Sequence, residues 1–477
     1  MNISTLENIV SSVSGVLTDY VMVTVLLVAA LFFTVITRGI QFRMVGEMVR
    51  LLIHSGKRDN DHRKDDEPAH GTISSFQAFA LSIASRVGTG NLAGVATAIA
   101  VGGPGAIFWM WIIAIFGAAS AFVESTLAQL FKVKGDKSFM GGPAYYILKG
   151  LHKRWWAVTF AVLITLTFGF AFNSVQSNTI ADALRTSFGV PTAWTAWGLC
   201  ILTLVVIWGG IQRVSRFSEI VVPVMAVAYI LLALVIICMN ITRFPEVMSM
   251  IVKNAFGFDE ALGGTIGAAM IMGIKRGLFS NEAGEGSTPN AAATASVTHP
   301  VKQGLIQTLG VYTDTLLICT STAFIILCSG IFEDGHDGIV LTQHAIDAGL
   351  GTETAFGSTF VSIAIFFFAF TSIIANYYYG ETNIRFIHDS DTLINIYRLL
   401  VSAIVYAGAV VSLDLVWGFA DITMALMTLC NLAAIFMLGK YAVLLLHDYR
   451  SQLRAGKDPI YRSSTIPEIA SETECWK

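Results

Sequence analysis

The sequence predicts an all-α membrane protein of about eleven transmembrane helices, built as a five-plus-five inverted repeat with discontinuous helices and one extra N-terminal helix. Three observations carry this. Of the 477 residues, 54% are hydrophobic and 13% charged, against roughly a quarter charged in soluble domains. Apolar runs of about 20 residues, enough to cross a hydrocarbon core, recur along the whole chain. Two of the runs are interrupted by glycines and polar residues in matching positions, and unpaired backbone in lipid survives only where protein, water or a ligand satisfies it.

The runs fall at 16–37, 72–103, 105–131, 155–184, 193–210, 217–241, 261–285, 304–330, 358–380, 395–412 and 415–446. The first lacks the basic flank and early start of a signal peptide, so it is expected to stay as a span. Arg38, Arg43, Arg50, Lys57, Arg58, Arg63 and Lys64 follow it, and Lys132, Lys134, Lys137, Lys149, Lys153 and Arg154 follow the third. Arg213 and Arg216 lie in 211–217, and Arg450, Arg454, Lys457 and Arg462 in the tail. Lys and Arg near span ends are retained on the cytoplasmic side. These loops therefore predict an outside N-terminus and a cytoplasmic C-terminus. Segment 331–357 carries Glu333, Asp334, Asp337, Asp347 and Glu353 with no Lys or Arg, as an outward loop should. The expected organisation is one polytopic unit over 1–446, with the extra helix at 16–37, repeats at 72–241 and 261–446, and a cytoplasmic tail at 447–477.

Composition also excludes. A net charge of -3 gives no basis for a nucleic-acid partner. Five cysteines lie in apolar runs and Cys475 stands alone in the tail, so no disulfide or zinc pattern arises. The stretch Lys57 to His70, with His54, His62 and His70 in or near it, lacks zinc-ligand spacing and reads as a solvated connector. There is no G-x-x-x-x-G-K-[ST] run for a nucleoside triphosphate, and Gly88, Gly90 and Gly94 miss the dinucleotide spacing. No repeated polar or charged ring suggests a channel, and nothing places a nucleophile beside a base as an intramembrane enzyme would need.

The second run reads Ser82-Ile-Ala-Ser-Arg-Val-Gly-Thr-Gly-Asn91, with two glycines and two polar residues at mid-depth. The seventh reads Ile271-Met-Gly-Ile-Lys-Arg-Gly-Leu-Phe-Ser-Asn-Glu-Ala-Gly-Glu285, and its break is expected at Gly273 to Gly277. With the first span set aside, each set of five begins with a broken helix, and an odd number of spans inverts the second set. Paired interruptions of this kind point to a transporter's binding site. Gly94 and the small residues after it suit helix packing instead.

These motifs resemble the alanine or glycine:cation symporter family along nearly the whole chain. The resemblance rests on Ile40-Gln-Phe-Arg43, Ser74-Ser-Phe-Gln77, Val87-Gly-Thr-Gly-Asn91, Gly102-Gly-Pro-Gly-Ala-Ile-Phe-Trp-Met-Trp111, Gly141-Gly-Pro143, Gly273-Ile-Lys-Arg-Gly-Leu-Phe-Ser-Asn-Glu-Ala-Gly284 and Tyr377-Tyr-Tyr-Gly-Glu381. It implies a leucine-transporter-type fold that couples uptake of a small neutral amino acid, such as alanine or glycine, to a co-transported sodium ion. A proton-coupled carrier is the nearest alternative. A zwitterion needs both charges met, and half-helix N-termini with free N–H groups suit its carboxylate while exposed carbonyls suit its ammonium and the cation. Gly88, Thr89, Gly90 and Asn91 are the candidates, and similarity to the family adds Gln176, Met272 and Gly273. The resemblance places sodium on the carbonyls of Ala84, Val87 and Phe368 with the hydroxyls of Thr371 and Ser372, although such hydroxyls also bond their own helix backbone.

Arg86, an intramembrane charge, either meets the substrate carboxylate or pairs structurally with Glu124, Glu282 or Glu285, and the pairing is the preferred expectation because the family's carboxylate contacts are mainly backbone. Lys275, Arg276 and Glu282 are expected in a cytoplasmic gate network or as helix caps. Two positions depart from the family. Asn376 stands where the family often has Trp, which implies a larger pocket and admits glutamine or asparagine. Ala121 replaces a frequent Lys before Glu124. Oligomeric state is not legible.

Overall fold

A backbone in lipid must pair its N–H and C=O groups within its own segment, and the apolar runs do so as helices. The computed structural model describes residues 10, 12–54, 73–135, 138–258, 266–351 and 355–476, without the side chains of 413 and 414. The connector at 57–70, with His62 and His70, lies outside the described residues. In chain order the helices are α1 (Ser12–Ile36), α2 (Val45–His54), α3 (Ser75–Arg86), α4 (Gly90–Gly102), α5 (Ala106–Leu130), α6 (Pro143–Leu151), α7 (Arg154–Phe188), α8 (Thr192–Ile207) and α9 (Gly210–Met239). They continue as α10 (Phe244–Ala255), α11 (Ile266–Asn281), α12 (Thr288–Thr294), α13 (Pro300–Ser329), α14 (Gly338–Leu350), α15 (Phe356–Ile387), α16 (Asp391–Val410) and α17 (Leu413–Arg454). A two-stranded antiparallel ribbon, β1 (Val133–Lys134) with β2 (Phe139–Met140), is the exception to the all-α expectation.

Among the described residues, eight single helices are long and apolar enough to cross a membrane. They correspond to eight of the eleven predicted runs. The other three hold shorter helices: the second run is split into α3 and α4, α8 has 16 residues, and the seventh run holds the 16-residue α11, with its break at the end of the run and α12 beyond it. The expected outward loop 331–357 is partly ordered as α14, whose Thr342 Oγ1 donates to the Leu92 carbonyl at 3.0 Å. The last apolar run winds on past residue 446 to Arg454.

Helix α3 starts on a reciprocal cap, in which Gln77 N donates to Ser74 Oγ and Ser74 N to Gln77 Oε1, both at 3.1 Å. It stops at Arg86, and Val87 turns extended at φ -85° and ψ 99°. The chain re-enters helix through a π-helical turn at Gly90–Gly94. The second break is not where the sequence suggested. Gly273 and Gly277 lie inside unbroken α11, and the interruption runs from Glu282 to Ser287. Glu282, Gly284 and Gly286 there take φ of 56°, 89° and 85°, the left-handed region that disfavours a Cβ.

The two breaks face each other beside α15, which is buried continuously from Phe368 to Asn383. The start of the first broken pair also touches the end of the second: Ile73 and Ala295 form a parallel bridge, and Ser296 N donates to the Ile73 carbonyl at 3.1 Å.

Candidate functional site

Ending α3 at Arg86 frees the last carbonyls of that helix, because no following N–H returns to them. Two of them, on Ala84 and Val87, meet the buried hydroxyl of Ser372 on α15. Ser372 Oγ lies 2.8 Å from the Ala84 carbonyl oxygen, 3.2 Å from that of Val87 and 3.0 Å from that of Phe368. One hydroxyl has one proton to donate, so it satisfies one carbonyl at a time. Thr371 Oγ1 donates to the Phe368 carbonyl at 2.8 Å. The structure thus gathers all five residues expected around a cation, with Thr371 turned toward its own helix.

Beyond the break, Gly88 N donates to Asn91 Oδ1 at 2.9 Å, and Thr89 donates both its N–H and its hydroxyl to Gln176 Oε1, each at 2.9 Å. A Cβ on Gly88 would lie 2.5 Å from Ser372 Oγ and 2.6 Å from Gln176 Oε1, so glycine is required by close approach here. A Cβ on Gly90 would lie 3.1 Å from Ser280 Cα and 3.2 Å from the Phe279 ring. The first break is therefore faced by Phe279 and Ser280 of α11. Met272 and Gly273 are not brought to it. A Cβ on Gly273 would strike the Ala106 carbonyl oxygen at 2.2 Å, and Met272 Cβ would be met at 2.9 Å by a Cβ on Gly102, so both are packing positions against α5 and α4. Asn376 is central, with its Oδ1 2.8 Å from Ser85 Oγ, whose one proton it shares with Glu282, and its Nδ2 donating to Asn173 Oδ1 at 3.2 Å.

Two charged expectations are corrected. Arg86 makes no ion pair with Glu124, Glu282 or Glu285; its Nη1 donates to the Gln307 carbonyl at 3.2 Å, and among the described residues Nε and Nη2 have no partner. It lies across Gly310 of α13, where a Cβ would come within 2.1 Å of Nη1. Lys275 and Arg276 do not meet Glu282. Lys275 Nζ is 2.8 Å from Asp421 Oδ2 and 3.3 Å from Asp19 Oδ1, Arg276 Nη1 is 3.3 Å from Asp421 Oδ1, and its guanidinium stacks 4.1 Å over the Trp417 ring. Both acidic partners stand near the starts of α1 and α17, the end predicted to face outward.

The carboxylates have other work. Glu124 accepts Gly284 N at 3.1 Å, Gly286 N at 3.0 Å and Asn431 Nδ2 at 2.8 Å, clamping the second break from α5. Glu282 accepts Ser85 Oγ at 2.6 Å, Ser287 Oγ at 2.5 Å and Thr288 Oγ1 at 3.2 Å, tying one break to the other.

Sequence reasoning missed Asp314. It lies in the π-helical turn Tyr312–Cys319 of α13, fully buried, and accepts Asn91 Nδ2 at 2.6 Å, Ser280 Oγ at 2.9 Å and Thr315 Oγ1 at 2.9 Å. It holds the Asn91 amide so that Asn91 Oδ1 faces Gly88. The signal was present: Asp314 is the one charged residue of the run 304–330, and such residues are functional by default. Phe279 gave no comparable signal; its contacts with Phe172 at 4.4 Å and Trp417 at 4.7 Å join residues far apart in sequence.

Opposed discontinuous helices with converging carbonyls and hydroxyls define a secondary transporter. The fold is of the leucine-transporter type; it matches the crystal structure of MhsT in complex with L-phenylalanine with a TM-score of 0.54 at 14% identity, covering 80% of this chain and 96% of that one. The profile of the sodium:alanine symporter family matches residues 3–463, and the chain belongs to that family. Two Bacillus subtilis relatives are similar end to end. One, named probable sodium/glutamine symporter GlnT, is 50% identical across 99% of this chain and 96% of its own. The other, named amino-acid carrier protein AlsT, is 49% identical across 99% of each.

Proposed function

We propose that this chain imports a small neutral amino acid together with sodium by alternating access, taking alanine and glycine and, through the space at Asn376, glutamine or asparagine. The observation that carries it is the meeting of three carbonyl oxygens, from Ala84, Val87 and Phe368, on the Ser372 hydroxyl. A hard cation recruits neutral oxygens of this kind. With sodium among them, Ser372 and Thr371 turn lone pairs to the ion and their protons away.

The substrate carboxylate takes the position now held by the Gln176 amide oxygen, receiving the N–H and hydroxyl of Thr89. Gln176 then swings to donate through its NH2. Gly88 and Gly90 keep the backbone bare at that face, and the Phe279, Phe172 and Trp417 rings cover the other. Energy suffices with one ion. A sodium ion entering down about 100 mV releases roughly 2.3 kcal/mol, and each tenfold of its gradient adds about 1.4 kcal/mol.

The expected topology, with an outside N-terminus and cytoplasmic C-terminus in a bacterial inner membrane, draws support from the basic segments gathering on one face. Lys302 pairs with Asp458 at 2.9 Å and Lys149 with Glu474 at 2.5 Å. The family's transport chemistry needs no bond-making residues, and we assign no enzymatic role. The 1–446 unit and 447–477 tail remain our division of the chain.

The test is uptake of labelled alanine and glutamine into proteoliposomes under an imposed sodium gradient, a proton gradient alone, or neither. Accumulation above the external concentration with sodium alone is the expected result. Accumulation driven by protons without sodium, or equilibration without concentration as in a channel, would overturn the reading.

A further inference from the structure

On the basic face several charged side chains pair with a carboxylate: Arg50 with Glu47 at 2.6 Å, Lys302 with Asp458 at 2.9 Å, Lys440 with Glu468 at 3.4 Å. Four arginines without a carboxylate partner among the described residues stand together, and Arg43 Nη1 donates only to the Arg38 carbonyl at 3.5 Å. Arg38, Arg43, Arg450 and Arg454, with His447 and Ser451, line one groove of about 360 Å³ open to solvent where the end of α1 meets the end of α17. Among the described residues none of the four lies within 4.0 Å of a carboxylate. Asp448, the nearest acid along α17, is engaged elsewhere by His299 Nε2 at 3.1 Å and Gln452 Nε2 at 2.8 Å.

Four guanidiniums lining one groove repel one another, and an arrangement of this kind is stabilised by an anion with several oxygens, which Arg binds in a bidentate fork. The source of that anion follows from the surroundings. Val35 and Phe42 on the α1 side and Leu444 on the α17 side are exposed, at 73%, 54% and 49%. Apolar side chains that flank a basic groove at the end of two membrane helices face acyl chains, and the groove then sits at headgroup level.

We propose that Arg38, Arg43, Arg450 and Arg454 bind the phosphate of an anionic phospholipid headgroup at the seam between α1 and α17. The lipid joins the extra N-terminal helix to the last helix of the second repeat. The predicted orientation places this seam in the cytoplasmic leaflet, the one that carries negative surface potential.

The full chain, purified in detergent, is titrated with cardiolipin or phosphatidylglycerol, with phosphatidylcholine and with inorganic phosphate, reading thermal stability and lipid retained in native mass spectrometry. The anionic lipids are retained and stabilise; phosphatidylcholine and millimolar phosphate do not. Arg43→Gln with Arg450→Gln weakens the anionic lipid on the order of thirtyfold, whereas Arg462→Gln, on the same face outside the groove, leaves it unchanged. If the double variant does not fold, Arg454→Gln at the exposed helix end carries the same comparison. Equal retention in the groove variants, or equal stabilisation by inorganic phosphate, overturns the proposal. Sodium-driven uptake is measured separately, so failure here leaves the transport reading standing.

Discussion

Asn376 has the Ser85 hydroxyl on one side and Asn173 on the other, so its side chain bridges α3, α7 and α15. Trp in its place occupies more volume and removes both hydrogen bonds. In Asn376→Trp, competition of labelled alanine uptake by glutamine and asparagine falls by about tenfold relative to competition by glycine, since lost space and hydrogen bonds are worth one or two kcal/mol each. Unchanged competition by the larger amino acids contradicts the assignment. The site was only partly legible at this scale. Gly88 to Asn91 announced themselves because glycine and amide residues are conspicuous in an apolar run. Arg86 announced its charge but not its partner, since the Gln307 carbonyl that receives it is 221 residues away. Asp314 was legible and overlooked.

At the scale of elements, the second break depends on a carboxylate from another helix. Glu124 of α5 receives the N–H groups of Gly284 and Gly286 together with Asn431, and charge-assisted hydrogen bonds contribute about 1.5–3 kcal/mol each. Glu124→Gln retains the shape and one accepting oxygen. It should lower stability by about 2 kcal/mol, read as an earlier thermal transition in detergent, and slow uptake; a variant as stable as the parent would remove Glu124 from this role. The same contact explains why the break was misplaced in sequence. Glycines that let helices touch, such as Gly273 against Ala106, and glycines that carry positive φ, such as Gly284 and Gly286, look alike in a string of letters. What separates them is a partner 160 residues distant. The class of each helix, by contrast, follows from apolar length alone, which is why the long spans were readable and α14 was not.

Across the whole molecule, the C-terminal segment acts as a brace on the basic face. Trp476 Nε1 donates to the Gln129 carbonyl at 3.1 Å, Tyr461 N to the Thr298 carbonyl at 2.9 Å, and Lys132 Nζ lies 4.1 Å from the Phe139 ring centre and 4.9 Å from that of Trp476. Tyr461, Ile466, Ile469 and Trp476 are all buried, and burying one large apolar side chain contributes about 1.5–3 kcal/mol. The segment touches the end of α5 and the start of α13, the helix after α12. Truncation after residue 456 should lower the thermal transition and raise the rate of uptake or exchange by freeing that face; a truncated chain with unchanged stability would show that the brace contributes nothing.

The coupling itself rests on the oxygens around Ser372. Initial uptake of alanine or glutamine, measured against external sodium in proteoliposomes carrying the parent chain or Ser372→Ala, tests this directly. Removing one oxygen ligand raises the half-saturating sodium concentration on the order of tenfold, with the chain still folded. An unchanged sodium dependence in Ser372→Ala would contradict the account.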